Sequence, residues 1–135
     1  MIALNSSLHL SHIKLYTICL YVLIVRPRIV LPEAVGSDII GIAEVALTLT
    51  CISEGGFPEQ TLDWFTYRIG QIPLKLKTCS TNSVVNQDLY DVTNTCTMTP
   101  TRDDDGAMLF CQSSYHGTPE MTYMSDNVTM TLLCK

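Results

Sequence analysis

The stretch ALTLTCISEGGFPEQTLDWF, Ala46 to Phe65, decides the fold. Val45, Leu47, Leu49 and Cys51 alternate with Ala46, Thr48 and Thr50, the period of two that marks a strand burying one face. Ser53 to Gln60 (SEGGFPEQ) then carries two glycines and a proline, a strong turn signal. Leu62, Trp64 and Thr66 make the inward set of the strand that follows. Further out, a polar turn near Gly70 leads to Ile72, Leu74 and Leu76, which read as another strand. Val92, Cys96 and Met98 alternate with Thr93, Thr95 and Thr97, and threonine forms strands well while tolerating water. Met108 to Gln112 and Asn127 to Leu133 read as the last two strands, joined by a loop around His116, Gly117 and Pro119. Short strands with turn signals between them, and no helical period of comparable length, predict an all-β antiparallel sandwich.

The chain has 135 residues, enough for one core and too few for two. Charged residues at 16% and apolar ones at 47% exclude a disordered tail, a collagen-like repeat and a coiled coil. The formal charge is −5 and the basic residues form no cluster, so nucleic acid is not expected as a partner.

Leu15 to Val25 (LYTICLYVLIV) is an uncharged run of 11 residues behind Lys14 and two histidines. It has the size of a secretory h-region and falls short of the ~20 residues that span a bilayer. Residues 1–25 are therefore expected to be a signal peptide or signal anchor, although Val25, Arg26 and Pro27 replace the small residues a signal peptidase prefers. A buried strand, or a segment outside any mature domain, is the alternative. Membrane association would run through this leader or through an anchor outside the chain.

Six cysteines stand at positions 19, 51, 79, 96, 111 and 134, no two within four residues of each other. That spacing excludes a C-x-x-C redox pair and a zinc knuckle. His9, His12 and His116 do not repair it. Widely spaced cysteines in strand-like sequence read as disulfides and hence as an oxidising compartment.

Trp64 follows Cys51 by 13 residues and Cys111 follows it by 60, the spacing of an immunoglobulin sandwich. TPTRDDDGAMLFC, Thr99 to Cys111, resembles the turn before strand F of such domains, with Asp105 at the corner position and Ala107 at the small-residue position. Leu109 stands where the family usually has the corner tyrosine, so that hydrogen bond is lost. With RPRIVLPEAVG (Arg26 to Gly36), the opening stretch and QDLYDVTNTCTMTPT (Gln87 to Thr101), the chain resembles C2-type domains of nectins, butyrophilin-like proteins and T-cell costimulatory ligands. The resemblance covers residues 27–133. It implies an immunoglobulin-like sandwich with Greek-key topology over residues 26–135, a Cys51–Cys111 bridge between the sheets and Trp64 packed against it. Closing so long a loop restricts the unfolded chain by about 4 kcal/mol on the chain-entropy model.

Cys79 and Cys96 lie outside that usual pair. Their numbers sum to 175, as do those of Gln87 and Asp88, so a hairpin turning there sets the two cysteines opposite each other and predicts a second bridge. A buried free thiol at Cys96 with Cys79 on the surface is the alternative. Cys134 has no partner within the domain and is left for a following domain, another chain or Cys19. Of the two N-x-S/T sites, Asn5 precedes the apolar run, whereas Asn127 opens the last strand and is the better glycosylation candidate.

Catalysis is not expected. Ser113, His116 and Asp105 can be drawn as a triad, but no nucleophile elbow or oxyanion hole accompanies them. Asp103, Asp104 and Asp105 lack the alternating pattern of a calcium loop and read as a solvated turn. No cofactor or metal is implied. The resemblance implies an extracellular protein-binding module of a cell-surface adhesion or immune-type receptor, whose partner is another Ig-domain receptor or a second copy. A spacer domain of a longer receptor and a soluble secreted protein are the rival readings. Recognition in such sandwiches uses the exposed face of strands such as C and F or the end loops. The expected contact residues are Phe57 with its loop neighbours Gly55, Gly56 and Pro58, then Phe65, Tyr67 and Arg68 on strand C, and Tyr115, His116, Thr118, Met121 and Tyr123 in the F–G loop. Aromatic residues and arginine are the types that anchor interfaces.

Overall fold

The computed structural model describes residues 13–15, 18–20, 23, 25–30, 38–115 and 118–133. Two short strands, β1 (Ile13–Leu15) and β2 (Ile18–Leu20), pair with each other across the start of the apolar N-terminal run. The rest forms two sheets. One contains β3 (Arg28–Val30), β5 (Leu47–Gly56), β9 (Leu89–Met98) and β8 (Cys79–Asn86), in the order β3-β5-β9-β8. The other runs β4 (Asp38–Ile42), β12 (Val128–Leu133), β10 (Met108–Tyr115), β6 (Gln60–Tyr67) and β7 (Leu74–Lys75), with β11 (Thr118–Met124) also paired to β10. Pairing is antiparallel except where β12 runs parallel to β4, so the first strand of the sandwich serves both sheets through β3 and β4. The four-stranded sheet has the make-up of a constant-type domain, while β7 on the edge of β6 is an addition that variable-type domains share.

Alternation builds the core. Leu49 and Cys51 of β5, Leu62 and Trp64 of β6, Val92 and Cys96 of β9, Leu109 and Cys111 of β10, and Val128 and Met130 of β12 point into one cluster. Cys51 is bonded to Cys111 across the sheets, and Trp64 lies directly opposite Cys111 on the neighbouring strand. The indole is fully buried, so burial of one large ring covers the bridge from one side.

Cys79 and Cys96 are also joined, and they are register partners in the β8–β9 hairpin. Gln87 and Asp88 turn that hairpin with φ of 53° and 68°, the two positive values of a two-residue I′-type turn, which fixes the register. Two buried side chains tie the sheets by hydrogen bonds. Gln60 Nε2 donates to Ser53 O (3.2 Å), Ser53 Oγ (2.9 Å) and Tyr90 O (3.1 Å). Asn94 Nδ2 donates to Leu62 O (3.1 Å) and Thr81 Oγ1 (3.0 Å). Gly56 makes room for the first of these, since a Cβ there would stand 2.5 Å from Gln60 Oε1.

Two expectations need correction. Ile72, Leu74 and Leu76 do not form one strand: Leu74–Lys75 is the paired stretch, Ile72 is 84% exposed, and Leu76 packs against the core with its N–H donating to Trp64 O at 2.9 Å. β7 lies at the sheet edge, where no second sheet covers it. The last strand is Val128–Leu133, within one residue of the expected Asn127–Leu133, but no long loop precedes it. β10 extends to Tyr115 and folds back at once into β11, so Thr118, Met121 and Tyr123 belong to a strand. The corner before β10 lacks its tyrosine, and Leu109 is buried in the core. A 3-10 turn, Arg102–Asp104, takes over there, with a capping box between Thr101 and Asp104. Asp105 Oδ1 accepts from Leu132 N at 2.9 Å, which pins the corner to β12.

The sandwich also grips the chain upstream of Arg26. Leu23 and Phe57 exchange backbone hydrogen bonds of 2.7 and 3.1 Å. Val25 N donates to the Tyr115 hydroxyl at 2.8 Å, and Ser113 Oγ donates to Val25 O at 3.0 Å. Arg26 bonds Met124 O and pairs with Asp126 at an exposed site, where an ion pair adds little. Burial raises the Tyr115 phenol above its ordinary 10.0, opposed by the Val25 N–H and reinforced by Tyr123.

Two outcomes are expected. Non-reducing peptide mapping returns Cys51–Cys111 and Cys79–Cys96 as linked pairs, and removing the first by double serine substitution lowers stability by about 4 kcal/mol against about 3 for the second, in proportion to loop closure. Because the folded state holds Tyr115 protonated more tightly than the unfolded chain does, its contribution is complete below pH 10.0 and is lost as pH rises through the elevated folded value. Tyr115→Phe costs about 1 kcal/mol at neutral pH for the lost Val25 bond and flattens that alkaline loss in denaturant titrations.

Candidate functional site

β6 and β10 run side by side in antiparallel register, so Phe65 stands opposite Phe110 and Tyr67 opposite Met108. These residues occupy the strand positions that alternate with Leu62, Trp64, Leu109 and Cys111, and they therefore face away from the core. The Phe65 and Phe110 rings stack at 5.2 Å, and Tyr67 meets Phe110 edge-on at 5.8 Å. Stacked and edge-to-face pairs follow the ring quadrupole and hold the three rings in fixed relation. Lys75 pairs in register with Phe65 across the β6–β7 ladder, and its ammonium lies 3.2 Å from Asp63 Oδ1. The result is a rigid aromatic stack in which Phe110 is covered at 7% exposure and the half-buried Phe65 and Tyr67 are the accessible rings, with a charged pair at its side.

The turn between β6 and β7 extends this strip. Ile69 is 91% exposed, Ile72 84% and Leu74 69%. Three large aliphatic side chains in the open on one short hairpin are unusual for a surface that meets only water. Arg68 is exposed beside them, with its guanidinium donating to Asp105 O at 3.1 Å. Sequence reading missed the aliphatic set because a run such as Ile72, Leu74, Leu76 carries the same period whether it faces a core or the solvent.

The other expected contact residues divide. Tyr123 is 44% exposed. Phe57 is half-buried, bridged to Leu23 and packed 6.4 Å from Tyr90, so it closes the end of the sandwich. Tyr115 is 2% exposed and is not a surface residue, because β11 and Val25 cover it. His116 and Cys134 lie outside the described residues, and Cys19 lies in β2. Asn127 is exposed in the link between β11 and β12. Ser113 is fully buried with its hydroxyl committed to backbone carbonyls, and Asp105 is bound to Leu132 N, so neither stands ready as a catalytic group. Among the described residues no cluster of three or more His, Cys, Asp or Glu is placed to hold a metal.

Comparison with known proteins agrees with this architecture. The model of the CD80-like C2-set immunoglobulin domain matches residues 26–121. Among solved structures, Rst D1-D2 superposes with a TM-score of 0.65 at 15% identity, covering 83% of this chain and 51% of that one. The full ectodomain (Ig1-Ig3) of mouse nectin-like molecule 4 gives 0.64 at 17% identity, covering 90% of this chain and 41% of that one. The BTLA ectodomain gives 0.51 at 14% identity, covering 81% and 98%. The chain thus spans about half the length of the first two structures. No curated protein sequence matches it. A bridged sandwich with Trp64 against the Cys51–Cys111 bond, matched by the family model over most of its length, makes this chain a member of the CD80-like C2-set immunoglobulin domain family.

Proposed function

We propose that the chain is an extracellular recognition module that works by protein–protein contact through the outer face of β6 and β10 and the adjoining β6–β7 hairpin. One observation carries this reading: the half-buried Phe65 and Tyr67, held by the covered Phe110 ring, lead along the chain into the exposed Ile69, Ile72 and Leu74. Fixed rings surrounded by exposed aliphatic groups offer a partner large contact area at little cost in side-chain entropy. Asp63 and Lys75 at the side give such a contact polar definition. Two disulfides and the family's likeness to receptor ectodomains support a location at the cell surface or outside it. The partner is another Ig-domain receptor or a second copy of this chain. In this reading the apolar segment ahead of Leu23 acts as the secretory leader or anchor, with any cleavage upstream of the Leu23 and Val25 contacts.

Bead-aggregation assays test self-recognition, and staining of cells that display individual Ig-domain receptors tests heterophilic contact. Tyr67→Ala and Ile72→Asp are each expected to weaken binding by about tenfold or more, as truncation of an interface anchor does. Ile72 is exposed, so its variant keeps the unfolding midpoint of the parent. Absence of both kinds of binding would identify the domain as a spacer.

A further inference from the structure

β8 (Cys79–Asn86) ends the sheet that lies opposite the aromatic stack, and among the described residues no strand pairs with its outer edge. Protein edges are normally blunted by shortness, charge, proline or a bulge, because a free row of N–H and C=O groups invites another strand. The other edges here follow that rule. β7 is 2 residues long and holds Lys75, β3 is 3 residues long and holds Arg28, and β4 holds Asp38. β8 has none of these devices: CSTNSVVN runs for 8 exposed residues without charge or proline, and its register with β9 never shifts. The edge is also held straight, by the Cys79–Cys96 bond at one end and the Gln87–Asp88 turn at the other.

Register shows which backbone groups are free. A two-residue turn makes its flanking residues, Asn86 and Leu89, a hydrogen-bonded pair, and alternation continues from there. Thr97 N donating to Thr78 O at 2.9 Å has the same parity. Ser80, Asn82, Val84 and Asn86 therefore direct their N–H and C=O groups at β9, and Cys79, Thr81, Ser83 and Val85 direct theirs outward. Side chains alternate as well: the Cys96 bond to Cys79 and the Asn94 bond to Thr81 Oγ1 put that second set on the core side, leaving Ser80, Asn82 and Val84 on the outer face.

We propose that β8 pairs antiparallel with β8 of a second copy of this chain about a two-fold axis at Asn82, joining their sheets into one continuous sheet. A two-fold contact sets each residue against its mirror position, so the edge must complement itself. With Asn82 on the axis, every outward-directed residue finds a partner: Cys79 meets Val85 of the second copy, and Thr81 meets Ser83, each pair exchanging N–H···O bonds in both directions. On the outer face Val84 meets Ser80, and the two Asn82 amides, each both donor and acceptor, meet on the axis. Charge selects the same occupant. The chain carries a formal −5, yet β8 brings no charge into this contact, so two copies approach there without like charges opposed. The same register lays exposed Lys77 beside the Gln87–Asp88 turn of the second copy, where exposed Asp88 carries the opposite charge, once at each end of the strand. The pairing does not rest on the contact reading above, and it leaves the outer face of β6 and β10, on the other sheet, open to a different partner.

The test follows the mass of the full, disulfide-bonded chain by sedimentation velocity as its concentration rises from micromolar to millimolar. The parent is expected to pass from monomer to dimer. Asn82→Lys, which sets two ammonium groups together on the axis, and Val84→Lys are expected to hold the mass at the monomer with the unfolding midpoint of the dilute parent, since both side chains are exposed. Ile72→Asp is expected to dimerise as the parent does. Residue-resolved amide exchange gives a second readout: the Thr81 and Ser83 amides slow on dimerisation, whereas Asn82 and Val84, already bonded to β9, do not change. A chain that stays monomeric throughout overturns the proposal and leaves the edge to a strand of a different protein. A dimer that survives Asn82→Lys and is lost in Ile72→Asp also overturns it, placing self-contact on the β6–β10 face. So does a dimer whose Thr81 and Ser83 amides exchange as fast as in the monomer.

Discussion

A single covalent contact between the sheets, Cys51 to Cys111 with Trp64 packed beside it, organises everything else in this molecule. It joins the central strands of the two sheets, β5 and β10, and its residues are fully buried. Small sandwiches bury limited area, so a cross-link that removes unfolded-state freedom makes up a large share of their net stability. Burying one large indole beside the sulfurs removes the space that would otherwise be a void. The polar ties of Gln60 and Asn94 can exist inside such a core because each donates to fixed backbone carbonyls across the gap.

That rigid centre has a consequence at the surface. With the inward positions of β6 and β10 committed to the bridge and the core, their outward positions are held in one registration. Phe65, Phe110 and Tyr67 thereby stack without support from any neighbouring domain. The hairpin beyond them is free of the second sheet, which leaves Ile69, Ile72 and Leu74 in water.

Much of this was legible in the chain. The strands Leu47–Gly56, Gln60–Tyr67 and Leu89–Met98 follow alternation that a reader can count. The pairing of Cys79 with Cys96 was legible for a sharper reason: a two-residue turn leaves no freedom of register, so position numbers alone locate partners. The burial of Tyr115 was not legible, because it depends on Val25, 90 residues away in sequence, and on β11 folding back at once. Nor was the exposure of Ile72, since apolar period reports which residues share a face and is silent on what that face meets.

The sequence by itself determined the strands of the sandwich through local alternation and turn chemistry, its resemblance to C2-type domains implied the inter-sheet bridge, and counting from the Gln87–Asp88 turn pointed to the hairpin bridge. Tertiary structure decided which aromatic residues reach the surface and which backbone carbonyls Gln60 and Asn94 donate to, with Gln60 Oε1 left buried without a partner. Those outcomes depend on which strand ends at a sheet edge and on how β5, β6 and β9 face one another across the gap, relations that exist only once distant segments are laid against each other.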